Sequence, residues 1–102
     1  MFKNRDVLSV DDFSTSELDT LLTYADDMVK YSKSKKPLLE DKVLATVFFE
    51  PSTRTKLSFQ VAMMRLGGKI IDFQPTGLTS IAKGENLTDT IRILDSYVNV
   101  IV

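Results

Sequence analysis

Residues 43–59 read Val-Leu-Ala-Thr-Val-Phe-Phe-Glu-Pro-Ser-Thr-Arg-Thr-Lys-Leu-Ser-Phe, and the character of this segment changes at its proline. Before Pro51, the run 43–49 is β-branched, aromatic and apolar on both faces, which is typical of a strand buried in a parallel sheet. After Pro51, hydroxyl and basic residues lead into a helical pattern that starts near Ser52 or Thr53. The segment therefore predicts a strand–turn–helix unit of an α/β protein.

A helix is predicted on the N-terminal side of this unit, over 14–32. Ser14 and Glu17 have the spacing of a capping box. Apolar residues then recur on one face at the helical period. They are Leu18, Leu21, Leu22, Ala25, Met28 and Val29.

The remaining elements give an alternating α/β order. They are a helix that stops at Gly67-Gly68, a strand at 69–73, a loop at 74–85, a helix capped by Asn86 with Asp89 at its third position, and a strand at 98–102. Strand, helix, strand, helix, strand with right-handed crossovers is half of an open, doubly wound parallel sheet. The predicted fold class is therefore α/β, an N-terminal helix followed by βαβαβ. Because the chain stops within an apolar strand, we expect residues 1–102 to be one domain truncated at its third strand.

Two of the helices are predicted to turn an apolar side toward the core. In the helix after Pro51 this side consists of Leu57, Val61, Ala62 and Leu66, with Met63 or Met64 filling gaps. In the last helix it consists of Leu87, Ile91, Leu94 and either Ile93 or Val98.

The composition excludes several classes of protein. The 102 residues are 43% hydrophobic and 26% charged, which is typical of an ordered globular domain and not of a disordered chain. A net charge of -1 gives no reason to expect nucleic acid or a membrane as partner, and no apolar run approaches the roughly 20 residues of a membrane span. Cysteine and histidine are absent, so thiol and imidazole chemistry are excluded, and no metal site is expected. Without a signal peptide, the expected location is the cytoplasm.

Ser52, Thr53, Arg54 and Thr55 form the first candidate site. The first turn of a helix carries unpaired backbone N–H groups and a partial positive charge, and three hydroxyls and a guanidinium add donors beside them. Such a cradle fits a phosphate. The alternative, a plain helix cap with a solvent-facing arginine, is about as frequent. The preceding strand favours the site, because ligands of such sheets bind beyond the carboxyl ends of the strands.

The second candidate lies in the loop that contains Ser80 and Lys83. A serine and a lysine three residues apart, next to Gly84, can offer a donor and a mobile charge to a phosphate or carboxylate. From the local sequence alone, a solvated turn before a helix is the better interpretation.

Two separated motifs give the chain a resemblance to a known family. They are FFEPSTRT at 48–55, continued by Ser58-Phe59 and by Arg65-Leu66-Gly67-Gly68, and SIAKGENLTDT at 80–90. In this order they resemble the carbamoyl-phosphate domain of the aspartate/ornithine carbamoyltransferase family over residues 44–102, and the helix at 14–32 sits where the family has its first helix. The Ser-x-x-Lys-Gly-Glu loop is closer to the aspartate branch. The resemblance implies that the chain is the N-terminal, incomplete portion of the carbamoyl-phosphate-binding domain.

The resemblance also implies an activity and an assembly. The aspartate branch of the family transfers the carbamoyl group of carbamoyl phosphate to the α-amine of L-aspartate, releasing phosphate, in pyrimidine biosynthesis and without a cofactor. The positions that match its phosphate ligands are Ser52, Thr53, Arg54 and Thr55, with Thr55 also near the carbonyl oxygen. Ser80 and Lys83 match a loop that reaches into the neighbouring subunit's site in a homotrimer. Arg54, Thr55 and Lys83 are therefore the expected catalytic residues, and the attachment of regulatory subunits is left open.

The resemblance stops before the site is complete. In relatives, an arginine and a histidine that polarise the carbonyl, and then an aspartate-binding domain, follow the last strand. None of these is among the 102 residues, so the chain alone is expected to be inactive. Two alternatives are an ornithine-type carbamoyltransferase and a non-catalytic module for anion binding or assembly.

Overall fold

The computed structural model describes residues 2–34, 36–75 and 86–102. Its elements are α1 (Thr15–Ser34), β1 (Val43–Val47), α2 (Thr53–Arg65), β2 (Lys69–Phe73), α3 (Leu87–Tyr97) and β3 (Val100–Ile101), with a short 3₁₀ turn at Val10–Asp12 before α1. The predicted order of an N-terminal helix followed by βαβαβ is confirmed. Of the loop predicted at 74–85, only residues 74 and 75 are described.

The three strands form one parallel sheet in the order β2-β1-β3, so β1 is the central strand. Val43 pairs with Lys69 at one end of β1, and Val47 pairs with Phe73 at the other. The four residues from Leu44 to Val47 are all buried. The prediction that this strand is buried on both faces is confirmed, because strands flank it on both sides and helices cover it.

β1 is two residues shorter than the predicted 43–49. It ends at Val47 because its partner strand ends opposite, at Phe73. Phe49 has left the sheet and is 61% exposed, on the way to the turn at Pro51.

β3 is also shorter than the predicted 98–102. The backbone N–H of Val98 donates to the carbonyl oxygen of Leu94 over 3.1 Å, and so it closes α3 instead of joining the sheet. Asn99 contacts Val43 through both its main chain and its side chain. Its N–H donates to the carbonyl oxygen of Val43 at 2.9 Å, and its Oδ1 accepts from the N–H of Val43 at 2.9 Å.

One side of the sheet forms the core with α3. Ala45, Val47 and Leu94 are buried there, and they are packed against the partly buried Phe73, Ile91, Val98 and Ile101. Of the two alternatives for the last position on the helix, Val98 is therefore correct, since Ile93 is 49% exposed. The prediction for Leu87 is wrong: it is 41% exposed, because helical side chains lean toward the amino terminus and that of the first residue projects beyond the helix.

The prediction of which residues of α2 face the core is largely wrong. Met63 is the buried residue of this helix, whereas Leu57 and Val61 are 51% and 37% exposed. The cause is that α2 has two neighbours, the sheet and α1. Met63 faces the sheet side, and the predicted side lines an open groove against α1. Of the four residues predicted to face the core, Leu57, Val61 and Ala62 line this groove. The fourth, Leu66, follows the last residue of α2 and is half-buried.

The stop at Gly67-Gly68 is confirmed. Gly67 has a φ of 84°, a left-handed conformation that favours glycine. Its N–H donates to the carbonyl oxygen of Met64 at 3.0 Å, and the N–H of Gly68 donates to that of Met63 at 3.0 Å. These bonds satisfy two carbonyls of the last turn of α2, and the chain then turns into β2.

α1 begins with the predicted capping box. The Oγ of Ser14 accepts from the N–H of Glu17 at 3.2 Å, and Oε1 of Glu17 accepts from the N–H of Ser14 at 3.0 Å. No residue of α1 is buried. Its apolar face packs against α2 across an open groove, and Tyr24 contacts the ring of Phe2 in the N-terminal segment. Within the described ranges, no helix is both long enough and apolar enough to cross a bilayer.

Candidate anion-binding site

A pocket of about 310 Å³ opens at the carboxyl ends of β1 and β2. This is the edge at which open parallel sheets bind ligands, and the volume is near the lower end of small-molecule sites. The residues that line it are Phe48, Phe49, Glu50, Pro51, Ser52, Thr53, Lys56, Gln74 and Pro75. The segment that follows β1 thus forms most of the wall, as its position before a helix start predicts.

The amino terminus of α2 lies at this pocket without a side-chain cap. Ser52 is in the N-cap position, but its side chain accepts no hydrogen bond from the first turn. The first intrahelical bond runs from the N–H of Lys56 to the carbonyl oxygen of Ser52, at 3.0 Å. The N–H groups of residues 53–55 therefore have no intrahelical acceptor, and they carry the positive end of the helix dipole.

The other two α-helices of the described residues start differently. Ser14 caps α1, as described above. In α3, Oδ1 of Asn86 accepts from the N–H of Asp89 at 2.8 Å, which confirms the predicted cap. The interpretation of residues 52–55 as an ordinary cap is therefore not supported, because the expected capping bond is missing where the candidate site lies.

The predicted site residues are brought together only in part. Ser52 and Thr53 line the pocket. Arg54 lines the groove between α1 and α2 instead, and Thr55 is exposed and lines neither cavity. Ser80 and Lys83 lie outside the described residues. The assignment of these six residues to carbamoyl phosphate stays a prediction.

Lys56 is a pocket residue that the sequence reasoning did not assign. Its Nζ lies 2.9 Å from Oδ2 of Asp72, and the two side chains are 20% and 35% exposed. A signal was present in the sequence: Lys56 is four residues after Ser52, on the same side of the helix, and Asp72 interrupts the apolar strand 69–73. Neither residue alone indicates that they meet.

A hydrogen-bonded network fixes Asp72 from the other side. Its Oδ1 accepts from Oγ1 of Thr46 at 2.9 Å, and Nε2 of Gln60 donates to the same Thr46 oxygen at 3.1 Å. Thr46 is completely buried in the central strand. The network therefore joins β1, β2 and α2, and through Asp72 it reaches Lys56, which lines the pocket.

The same contacts determine the charge of Asp72. Partial burial by itself raises the pKa of this carboxyl group. The hydrogen bonds from Lys56 and Thr46, together with the charge of Lys56, outweigh the burial, so the pKa lies below its ordinary value of 3.8. Asp72 is thus ionised at neutral pH, and the Lys56–Asp72 contact is an ion pair.

The carbamoyl-P binding domain of the aspartate/ornithine carbamoyltransferases matches residues 5–102. The chain belongs to this family. The family resemblance predicted from the two motifs is confirmed, and all six predicted site residues fall within the matched range.

Several carbamoyltransferase relatives are similar over nearly the whole chain. The aspartate carbamoyltransferase catalytic subunits of Pyrobaculum calidifontis and Pyrobaculum arsenaticum are 55% and 52% identical over 102 residues, which are 100% of this chain and 33% of each relative. The chain therefore spans about a third of the length of these relatives.

Solved carbamoyltransferase structures show the same fold. The catalytic subunit of M. jannaschii aspartate transcarbamoylase is 45% identical and has a TM-score of 0.82, over 93% of this chain and 32% of that chain. The Trypanosoma cruzi enzyme, solved in complex with carbamoyl phosphate and aspartate, is 38% identical with a TM-score of 0.87, over 98% and 33%.

Proposed function

We propose that the chain supplies the carbamoyl-phosphate side of an aspartate carbamoyltransferase. That enzyme transfers the carbamoyl group of carbamoyl phosphate to the α-amine of L-aspartate, giving N-carbamoyl-L-aspartate and phosphate, a reaction of pyrimidine biosynthesis. One observation carries the proposal: in a member of this family, α2 begins without a side-chain cap at the pocket on the sheet's carboxyl edge. In this reading, residues 1–102 are the N-terminal portion of the carbamoyl-phosphate-binding domain.

The phosphate is held by the first turn of α2. The N–H groups of residues 53–55 and the hydroxyls of Ser52 and Thr53 donate to its oxygens, and this geometry needs neither metal nor cofactor. Arg54 swings from the α1 side of the turn to pair with the phosphate as a planar fork. Thr55 donates to the carbonyl oxygen of the carbamoyl group.

These donors assist the reaction by electrostatics. When the amine of aspartate attacks the carbamoyl carbon, negative charge grows on the carbonyl oxygen and then on the departing phosphate. Arg54 and the helix dipole stabilise the phosphate, and Thr55 stabilises the oxyanion. The backbone N–H groups of the first turn are fixed by the helix, and they hold carbamoyl phosphate in a geometry that the amine can attack.

The proposal includes the assembly that the family resemblance implies. Ser80 and Lys83 of one subunit reach the site of a neighbour in a homotrimer, where Lys83 bridges the phosphate and the substrate carboxylate. Whether regulatory subunits attach to this homotrimer is left open. The location is the cytoplasm, for which the cysteine-free sequence is the support.

The choice of aspartate over ornithine rests on the relatives. Those described above are aspartate carbamoyltransferases, and one was solved with carbamoyl phosphate and aspartate. An ornithine-type enzyme is the alternative. Assaying both amino acids on a protein that carries this chain within a complete carbamoyltransferase distinguishes the two.

Calorimetric titration of the 102-residue chain tests the phosphate site. Carbamoyl phosphate and inorganic phosphate are expected to bind the wild type, and Arg54→Ala is expected to bind at least about tenfold more weakly, the effect of losing one charged hydrogen bond. Arg65→Ala is the matched control, because it removes the same charge from the same helix about 16 Å away. Equal binding by wild type and Arg54→Ala contradicts the proposed role of Arg54.

The same preparation tests turnover. Since the matched domain is the carbamoyl-P binding domain alone, the chain is expected to bind carbamoyl phosphate without forming N-carbamoyl-aspartate. Formation of that product by the purified chain contradicts the proposed division of the site.

A further inference from the structure

The pocket wall contains a positive charge, that of Lys56, which is not among the proposed phosphate ligands. Among the described residues that line the pocket, Lys56 is the only cation, and Glu50 is the only other charged residue. Lys56 lies one helical turn after Ser52, so its side chain projects on the side of α2 that carries the uncapped first turn. A positive charge thus stands beside the N–H groups of residues 53–55.

The ammonium group of Lys56 is held in place by its ion pair with Asp72. Its Nζ pairs with Oδ2 of Asp72 at 2.9 Å, while Thr46 and Gln60 fix the other side of that carboxylate as described above. The side chain of Lys56 is only 20% exposed. A long lysine side chain normally loses much conformational entropy when it binds a ligand. Here most of that entropy is already lost in the unliganded protein.

The pair also leaves the lysine able to donate. An ammonium group has three N–H donors, and the contact with Asp72 occupies one. A purely structural ion pair does not need to open onto a pocket. This pair lines the same 310 Å³ cavity as the first turn of α2.

We propose that Lys56 is a further anion-binding residue of this pocket, which donates to a phosphate oxygen of carbamoyl phosphate while Asp72 holds its ammonium group in place. This inference deepens the proposed function and rests on it. Lys56 binds the anion directly, and Asp72 is a positioning residue that acts through Lys56.

Calorimetric titration with inorganic phosphate tests the role of Lys56. Lys56→Met is expected to weaken binding at least about tenfold, as for one charge-assisted hydrogen bond. Lys56→Arg keeps the charge and is expected to stay within about threefold of the wild type. Lys42→Met is the matched control, since it removes an exposed lysine immediately before β1, at the opposite edge of the sheet, and is expected to bind like the wild type. Binding by Lys56→Met that equals the wild type, or a loss in Lys42→Met as large as in Lys56→Met, overturns the inference.

Asp72→Asn separates direct binding from a structural role. The asparagine keeps an amide oxygen that can accept from the Lys56 ammonium group, so Lys56 stays positioned and only the carboxylate charge is lost. If Lys56 contacts the anion, the positive potential of the pocket wall rises and phosphate binds at least as tightly, even though the protein is less stable to urea. If the pair only ties α2 to β2, Asp72→Asn and Lys56→Met weaken binding alike, and the inference is overturned. Circular dichroism of each variant shows that the compared proteins are folded. If Lys56→Met does not fold, Lys56→Gln, which keeps a polar side chain without the charge and is expected to lose the same affinity, takes its place.

Arg54→Ala distinguishes this inference from the proposed function. If Arg54→Ala loses phosphate affinity and Lys56→Met does not, the inference fails and the proposed site stands. If Lys56→Met loses affinity and Arg54→Ala does not, Lys56 is the principal cation and the proposed role of Arg54 fails. If the wild type itself does not bind phosphate or carbamoyl phosphate, both are overturned.

Discussion

Thr46 is the polar residue at the centre of the sheet, and Thr46→Val tests whether its hydroxyl stabilises the fold. The side chain is completely buried. Its Oγ1 donates to Oδ1 of Asp72 at 2.9 Å and accepts from Nε2 of Gln60 at 3.1 Å. Valine has nearly the same shape, so the substitution removes both hydrogen bonds and leaves the packing of β1 almost unchanged.

The expected loss of stability is about 2 kcal/mol. A hydrogen bond to a charged group contributes about 1.5–3 kcal/mol, and one between neutral groups about 0.5–1.5 kcal/mol. The side chain of Asp72 is 35% exposed and can recover part of its bond from water, so the lower end applies to it. The added methyl group returns up to about 0.8 kcal/mol of burial. For a domain of this size, the net loss lowers the Tm by about 8–16 °C.

Urea unfolding at pH 7, followed by circular dichroism, measures this loss. Thr46→Ser is the control, because it keeps the hydroxyl and removes only a methyl group, at about 1 kcal/mol. Lowering the pH gives a second control. The pKa of Asp72 is lowered in the folded state, so its contribution is present above its unfolded pKa near 3.8 and is lost as the pH falls through the lower folded value. The gap between wild type and Thr46→Val therefore narrows below pH 3.8. A Thr46→Val variant that is more stable than Thr46→Ser, or a gap that is the same at pH 7 and pH 2.5, refutes the reasoning.

Three further substitutions test the helix ends. Gly68→Ala places a Cβ in collision with the buried side chain of Met63, so urea unfolding is expected to show a loss of about 1–3 kcal/mol. A Met63→Ala background should remove this loss, and an equal loss in both backgrounds contradicts the clash. The pKa of Glu17 is lowered to about 2 by hydrogen bonds from Arg5 and from the N–H of Ser14, and by the charge of Arg5. Ionised Glu17 therefore stabilises the fold above pH 4.5, and this contribution is lost as the pH falls toward 2. Glu17→Gln should remove that part of the acid dependence of the urea midpoint, and an unchanged acid profile argues against it. Asn86→Ala removes the cap of α3 and is expected to lower stability by about 1 kcal/mol in the same assay, whereas Asn86→Ser is expected to stay within a few tenths of the wild type.

The order of elements and their caps could be predicted because they depend on neighbours in sequence. The capping box of Ser14 and Glu17, the cap by Asn86 and the stop at Gly67 are each decided within a few residues. The burial of β1 also follows from its own composition, since a strand apolar on both faces needs cover on both sides.

The side of α2 that faces the core could not be predicted in the same way. Helical period alone shows which residues share a face, but not which neighbour that face meets. Leu57 and Val61 face α1, which offers an incomplete cover, and Met63 faces the sheet. The choice depends on where α1 packs, and no local pattern encodes this.

The same limit explains why Lys56 was missed at the site. The resemblance led to the hydroxyl and arginine positions, which are contiguous in sequence. Lys56 and Asp72 are 16 residues apart, and Thr46 and Asp72 are 26 apart, so their contact depends on the parallel register of β1 with β2. In that register Thr46 lies directly opposite Asp72, and the register is a property of the folded sheet.

The uncapped start of α2 is the strongest physical link between the fold and the proposed function. A serine N-cap normally contributes about 1 kcal/mol to a helix, and Ser52 is a residue type that can provide it. Its backbone, with φ -131° and ψ 67°, instead leaves the side chain without a capping bond, although Ser14 and Asn86 cap their helices in the same molecule. A bound phosphate accepts from the same N–H groups that a cap would satisfy, so capping and binding compete for the same donors. The missing cap is therefore expected to lower the stability of the unliganded protein and to leave those donors available to the anion, and phosphate should raise the urea midpoint of the wild type more than that of Arg54→Ala.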